Sequence, residues 1–179
     1  MTNMTRHQKG FSLFELILYV GILGIVLVIV SRSSISINQA RIKSEVRNEV
    51  HSSIRFATLK ITQDAQYASM VSEPGASGEQ TDVLTMSSNG SVIRYCVVGG
   101  ILYREQGGAD CTASSEAVTS TKVSLETPEF TLWSNSNEIT AQAFPTLEFA
   151  ISASYAGSNP DYAYTEQGPT TVLELKNMR

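Results

Sequence analysis

From Phe11 to Val30 the chain is apolar at nearly every position, and Glu15 is its one charged residue. A helix rising ~1.5 Å per residue covers about 30 Å over that length, the thickness of a bilayer's hydrocarbon core. The run therefore predicts a membrane-crossing helix. Beyond Val30 the pattern turns periodic. Ile35, Ile42, Val46, Val50, Ile54, Ala57 and Ile61 recur mostly at steps of four or seven, as on one narrow face of an amphipathic helix. No Gly or Pro occurs between Ile25 and Glu73, so one helix is expected from Phe11 to about Met70. Its weakest stretch is Ser31–Ser36, where serines and a β-branched residue lower helix propensity and predict fraying or a bend.

Ser72–Glu79, rich in Gly, Ser and Pro, ends the helix, and the period then shortens to two. Strands are expected at Asp82–Ser87, Ser91–Val98 and Ile101–Arg104, linked by tight turns at Asn89-Gly90 and Gly99-Gly100. Further strands are expected at Val118–Leu125, Glu129–Trp133, Leu147–Tyr155 and Thr171–Lys176. In the third of these, Leu147, Phe149, Ile151, Ala153 and Tyr155 alternate with smaller or polar residues, predicting a sheet buried on one face. The helix stripe from about Val50 to Ala68 is the available cover. The expected fold class is α+β: a long N-terminal helix packed against a C-terminal antiparallel β-sheet. The aromatic positions Tyr95, Tyr103, Trp133, Phe149 and Tyr155 are expected to serve core packing.

Charge refines this picture. Arg6, His7 and Lys9 precede the apolar run, and by the positive-inside rule they hold the N-terminus in the cytoplasm. Glu15 stands near the start of the span, where a carboxylate costs less than the ~2.5–3.5 kcal/mol it costs at the centre. Insertion survives it, but an acid within a membrane span is by default a functional candidate. Ser31–Met70 carries six bases against three acids, whereas Val71–Arg179 carries five bases against thirteen acids, a net of −8 that argues against broad nucleic-acid binding by this part.

The junction Lys9-Gly10-Phe11-Ser12-Leu13-Phe14-Glu15 and its apolar run resemble the class III signal of type IV prepilins and pseudopilins. The resemblance implies cleavage at Gly10–Phe11 by a membrane prepilin peptidase, with Lys9 in the recognised leader. It also implies methylation of the new N-terminus on Phe11, and a role for Glu15 in filament assembly. Gly10, lacking a Cβ, lets a peptidase approach the backbone closely. The new amine and the Glu15 carboxylate are each costly in the membrane and cheaper as a pair between neighbouring subunits. The implied divisions are a leader at 1–10, the transmembrane half of the helix at 11–30, its amphipathic continuation at 31–70 and an antiparallel β head at 71–179. The implied partners are the prepilin peptidase/methyltransferase, other pilin or pseudopilin subunits, an inner-membrane assembly platform and membrane lipid. The implied location is a single-pass inner-membrane protein with its head outside, later incorporated into a filament. Ile93-Arg94-Tyr95-Cys96 and Gly99–Arg104 are similar to a hairpin of J-type minor pseudopilins and their minor-pilin relatives. Gly24 falls where many pilins have glycine, while Arg32 stands where they often have proline.

Other classes fit less well. A secretory signal lacks a good small-residue cleavage site after the run. A plain signal anchor carrying a monomeric extracytoplasmic binding domain accounts for the hydrophobicity but not for Lys9-Gly10-Phe11 or Glu15. The two histidines, His7 and His51, assemble no convincing catalytic site, the two cysteines cannot make a zinc site alone, and no phosphate-binding loop is present. No enzyme activity, cofactor or metal is expected. Asn89-Gly90-Ser91 fits a glycosylation sequon, though its turn role accounts for it more simply. Outside the cytoplasm, where thiols tend to be oxidised, one disulfide between Cys96 and Cys111 is expected; two buried free thiols are the alternative.

Overall fold

The computed structural model describes residues 12–88, 90–107, 110–136, 143–158 and 162–178. The leader with Lys9, Gly10 and Phe11, and Asn89 of the expected turn, lie outside the described residues. The chain divides into two compact units, Met1–Ile42 and Lys43–Arg179, and helix α1 (Leu13–Gln66) contributes to both.

In the first unit every described residue is exposed, including the apolar side chains from Leu13 to Val30. The fraying expected at Ser31–Ser36 is absent, since α1 continues through this segment. Within it, the Ser33 hydroxyl donates to the Ile29 carbonyl one turn back, at 3.0 Å. Its hydrogen bond is thus made along the helix rather than to a competing conformation.

In the second unit, Val46, Val50, Ser53, Ile54, Ala57, Ile61 and Ala65 form the buried face of α1. The helix stops short of the expected Met70. The Tyr67 N–H bonds back to the Asp64 carbonyl at 3.2 Å, and the Asn177 side chain donates to the Gln66 carbonyl at 2.8 Å. These contacts satisfy groups that a helix end leaves open. The chain then turns directly into β1 (Ala68–Glu73). Nothing in the local sequence breaks the helix there; pairing with a strand further along the chain wins over propensity.

The strands that follow are β2 (Gln80–Thr81), β3 (Leu84–Ser88), β4 (Ser91–Val98), β5 (Ile101–Gln106), β6 (Glu116–Ala117), β7 (Val123–Leu125), β8 (Glu129–Ser136), β9 (Ala143–Ala150), β10 (Ser152–Tyr155), β11 (Thr165–Gln167) and β12 (Thr171–Glu174). They form three antiparallel sheets in the orders β1-β3-β4-β5-β6, β11-β10-β7 and β12-β9-β8-β2. The expected three-strand meander is β3-β4-β5. Gly99 and Gly100, with φ of 60° and 81°, make the β4–β5 turn, where two positive φ values suit a primed turn.

Two strands depart from expectation. Of Val118–Leu125 only Val123–Leu125 is strand. The Thr119 hydroxyl takes the Leu102 N–H at 3.0 Å, and a turn at Ser120 accepts the Val123 N–H at 3.1 Å, so the backbone ladder is interrupted. Leu147–Tyr155 is split at Ile151 into β9 and β10, which lie in different sheets. Its alternation nonetheless holds, with Leu147, Phe149, Ile151 and Ala153 all buried. The interruption comes from the neighbours. β7 and β8 are separated by a stretch containing Pro128, and β11 and β12 by one containing Pro169. Proline has no N–H to give a ladder, so pairing lapses on both sides at the same level. Gly168 fills the gap by donating to the Ile151 carbonyl at 2.8 Å.

Helix and sheets share one core. Ile54, Ala57 and Ile61 pack into a cluster with Leu84, Tyr95, Phe130, Leu147 and Phe149. Phe130 and Phe149 are directly paired across β8 and β9, with ring centroids 5.9 Å apart. Each large apolar side chain fully buried here contributes roughly 1.5–3 kcal/mol. The result is the α+β, pilin-like layout expected of the chain, with the helix stripe covering the sheets.

Two variants and one control test this packing. A Cβ on Gly168 would lie 2.7 Å from the Ile151 carbonyl oxygen and 2.8 Å from Ile54 Cγ2. Gly168→Ala should therefore cost about 1–3 kcal/mol in denaturant unfolding of the detergent-solubilised chain. Ile54→Asp should cost at least about 3 kcal/mol, while Asn48→Asp on the exposed side should stay within about 0.5 kcal/mol. Equal midpoints for all three would rule out this seating of the helix.

Candidate functional site: the helix start and the clamp at its end

The described residues begin at Ser12, just after the expected scissile bond. The Ser12 carbonyl accepts the Leu16 N–H at 3.2 Å, which places Ser12 at the cap of α1 and Glu15 in its first turn. Ser12-Leu13-Phe14-Glu15 has the spacing of a capping box, a signal that the sequence contains. An acid in the first turn also faces the positive end of the helix dipole. Glu15 thus has a local reason to be tolerated at the helix start. Gly10 and Phe11, the two sides of the expected scissile bond, and Lys9 lie outside the described residues.

After Glu15 the surface is a continuous apolar sleeve. The helix holds a span with mean hydropathy 2.8 and none of that window buried within the chain. By length and composition it is a single-pass membrane anchor. Gly21 and Gly24 would meet nothing within 4 Å if given a Cβ, so the chain's own packing makes no use of their small size.

The other end of α1 is fastened by a cluster that sequence reasoning did not find. Asp64, in the last turn, accepts the Arg104 Nε–H at 2.7 Å and the Tyr95 hydroxyl at 2.5 Å. Arg104 also reaches Glu116 at 3.2 Å, joining β5 to β6. Arg104 and Asp64 are only 12% and 14% exposed, so the pair is well shielded from solvent. Burial raises the Tyr95 phenol above its ordinary range, and the adjacent Asp64 carboxylate adds to the rise. Burial alone would lower the Arg104 guanidinium, but the bond and charge of Asp64 raise it overall. No local pattern could have revealed this grouping, because its members come from one helix and three strands.

Cys96 on β4 and Cys111 form a disulfide, with Cα atoms 6.2 Å apart. Closing a loop of this size stabilises by roughly 3 kcal/mol in the chain-entropy account. Near it, Arg94 bridges Glu73 at 3.4 Å and Asp110 at 2.8 Å, tying the same excursion to β1. On the helix flank, the Arg47 guanidinium lies 5.2 Å from the centre of the Tyr164 ring, and His51 approaches that hydroxyl at 3.4 Å. The Tyr164 hydroxyl donates to Glu166, which raises its pKa. Of the five aromatic positions expected in the core, Tyr95, Tyr103 and Phe149 are buried and Tyr155 is partly buried. Trp133 is a correction: it is 43% exposed because its place on β8 alternates with the inward Phe130 and Leu132. Among the described residues, no group of three His, Cys, Asp or Glu is placed to hold a metal ion.

The family profile for the prokaryotic N-terminal methylation motif matches residues 5–31. The chain therefore carries the class III signal of type IV pilin precursors, a motif that points to a structural protein and to processing by a prepilin peptidase. No curated protein and no solved structure matches the chain.

The clamp gives a pH prediction. A phenol whose pKa is raised by folding contributes stability that is intact below the unfolded value, about 10, and is lost as pH rises beyond it. Unfolding free energy should hold steady through neutral pH and decline above about pH 10. Tyr95→Phe should lower stability near neutrality by about 1–2 kcal/mol and make that alkaline decline shallower. An unchanged alkaline slope would show that Tyr95 plays no part in it.

Proposed function

We propose that this chain is a structural subunit, of minor-pilin or pseudopilin type, of a pilus-like or secretion-type filament. In this reading Arg6, His7 and Lys9 stay in the cytoplasm, the peptidase cuts after Gly10, and Phe11 becomes the methylated N-terminus. The processed helix enters the filament as the β head faces outward. Glu15 of one subunit pairs with the Phe11 amine of a neighbour, so each addition neutralises two charges that are costly in the membrane. The single observation that carries the reading is the methylation motif matched at residues 5–31, whose stretch from Leu13 onward is a helix with an exposed apolar surface. The open sides of Gly21 and Gly24 favour close approach by another helix.

Intact-mass measurement of the membrane-bound chain from a host with a prepilin peptidase tests the first step. Loss of Met1–Gly10 together with a gained methyl group is expected. Retention of the leader would favour a monomeric signal-anchored domain instead.

A charge-specific variant tests the second step. Glu15→Gln keeps a side chain suited to a capping box but removes the charge. It should leave insertion and cleavage intact yet deplete the chain from sheared filaments as strongly as Glu15→Ala. Normal incorporation of Glu15→Gln would reduce Glu15 to a helix-starting role.

A further inference from the structure

Two exposed patches on the Lys43–Arg179 unit differ in charge. The first is on the outer face of the β12-β9-β8 layer. Glu148 and Val172 are aligned across the strands, as are Trp133, Thr146 and Glu174, while Thr131, paired with Glu148, is itself buried. Directly paired residues point to the same side of a sheet, and Phe130, Leu132, Leu147 and Phe149 fill the other. Val172 is 61% exposed, and the Trp133 indole is held by donating its Nε1–H to Glu148 at 2.8 Å. With Glu129 beside them, this face combines two large apolar groups with three carboxylates.

The second patch is on α1. Phe56 and Leu59 are each 56% exposed, on the side turned away from Ile54, Ala57 and Ile61. Together with Val118 they line an open groove of about 520 Å³, with Glu49 at one end and Arg55 along it. Arg55 and Lys60 flank the two apolar side chains in sequence, and neither makes an ion pair among the described residues.

We infer that the Trp133–Val172 face of one copy docks on the Phe56–Leu59 groove of a second copy of this chain. The occupant follows from complementarity. Two apolar groups meet an apolar groove, and Glu129, Glu148 and Glu174 meet Arg55 and Lys60. Exposed aromatic and apolar groups ringed by charge are the ordinary anatomy of an interface. The two patches differ, so the contact is heterologous. Such a contact leaves one free patch at each end and propagates as an open chain of subunits unless the rotation closes. The inference rests on the filament reading and adds to it a contact between heads, separate from the pairing at Glu15.

The test uses the full chain in a host that processes it. A photo-crosslinking amino acid at Val172 should give a covalent dimer of this chain, with the attachment mapped to the segment around Ser52–Leu59. Glu129→Lys with Glu174→Lys should cut that dimer on the order of tenfold. Co-expression with a second copy carrying Arg55→Glu and Lys60→Glu should restore it. An adduct only with a different polypeptide overturns the inference, as does attachment elsewhere on the second copy, or a yield unmoved by the charge reversals. Failure to find the dimer while the chain is present in sheared filaments sinks this contact and leaves the filament reading standing. A retained leader and absence from filaments sink that reading, whereas a mapped dimer in the membrane fraction would still support the contact.

Discussion

Burial of one narrow stripe of α1 under the β-sheets is the constraint from which the rest of the head follows. The stripe from Val46 to Ala65 has only small and aliphatic side chains, and the sheets answer with larger aromatic ones: Tyr95, Phe130 and Phe149. This division lets the backbone of the sheet layer approach the helix closely, as at Gly168, where even a methyl group would meet Ile54. The helix end must then be fixed where the stripe ends. Asp64 does so with two bonds made in a setting largely sheltered from water, where an unmet carboxylate would be costly.

Among the described residues of the Met1–Ile42 unit, the same helix has no such covering sheet. There the apolar residues ring the helix instead of forming a stripe, and each is exposed. A soluble protein does not leave such a surface bare, because every large side chain facing water carries a transfer cost of about 1.5–3 kcal/mol. Lipid relieves that cost first. A helix from another subunit can take the lipid's place with little change in hydrophobic energy, so polar and steric features decide the exchange. In the filament reading proposed above, Glu15, Gly21 and Gly24 are features of that kind.

Much of this was legible in the chain itself. The apolar run, the stripe beneath the sheet and the β3-β4-β5 meander follow from local periodicity and from Gly99-Gly100, because helix and strand repeats are properties of neighbouring residues. What could not be read was set by distant pairing. The helix ends at Gln66 because Ala68 and Val71 pair with Ser88 and Met86. The short strands β2, β6 and β11 exist only because longer partners hold them. Asp64, Tyr95, Arg104 and Glu116 look like ordinary surface residues until the fold gathers them. Trp133 was misplaced because an aromatic residue in a strand reads as core, whereas the inward positions on β8 are Phe130 and Leu132.

The line through Pro128, Ile151 and Pro169 has a mechanical meaning. Where a ladder is continuous, peeling one end strains the next bond, and the strands open like a zipper. Here the ladder lapses on both sides of one strand, leaving β7, β10 and β11 on one side and β8, β9 and β12 on the other. At that level the regular ladder thins to single bonds, from the Glu126 N–H to the Ser152 carbonyl at 2.9 Å and from the Gly168 N–H to the Ile151 carbonyl at 2.8 Å. A tear that starts among β7, β10 and β11 therefore meets a weaker seam before it reaches the layer bearing Trp133 and Val172. The head can yield locally at one end, under shear or a passing protease, while the other end keeps its register.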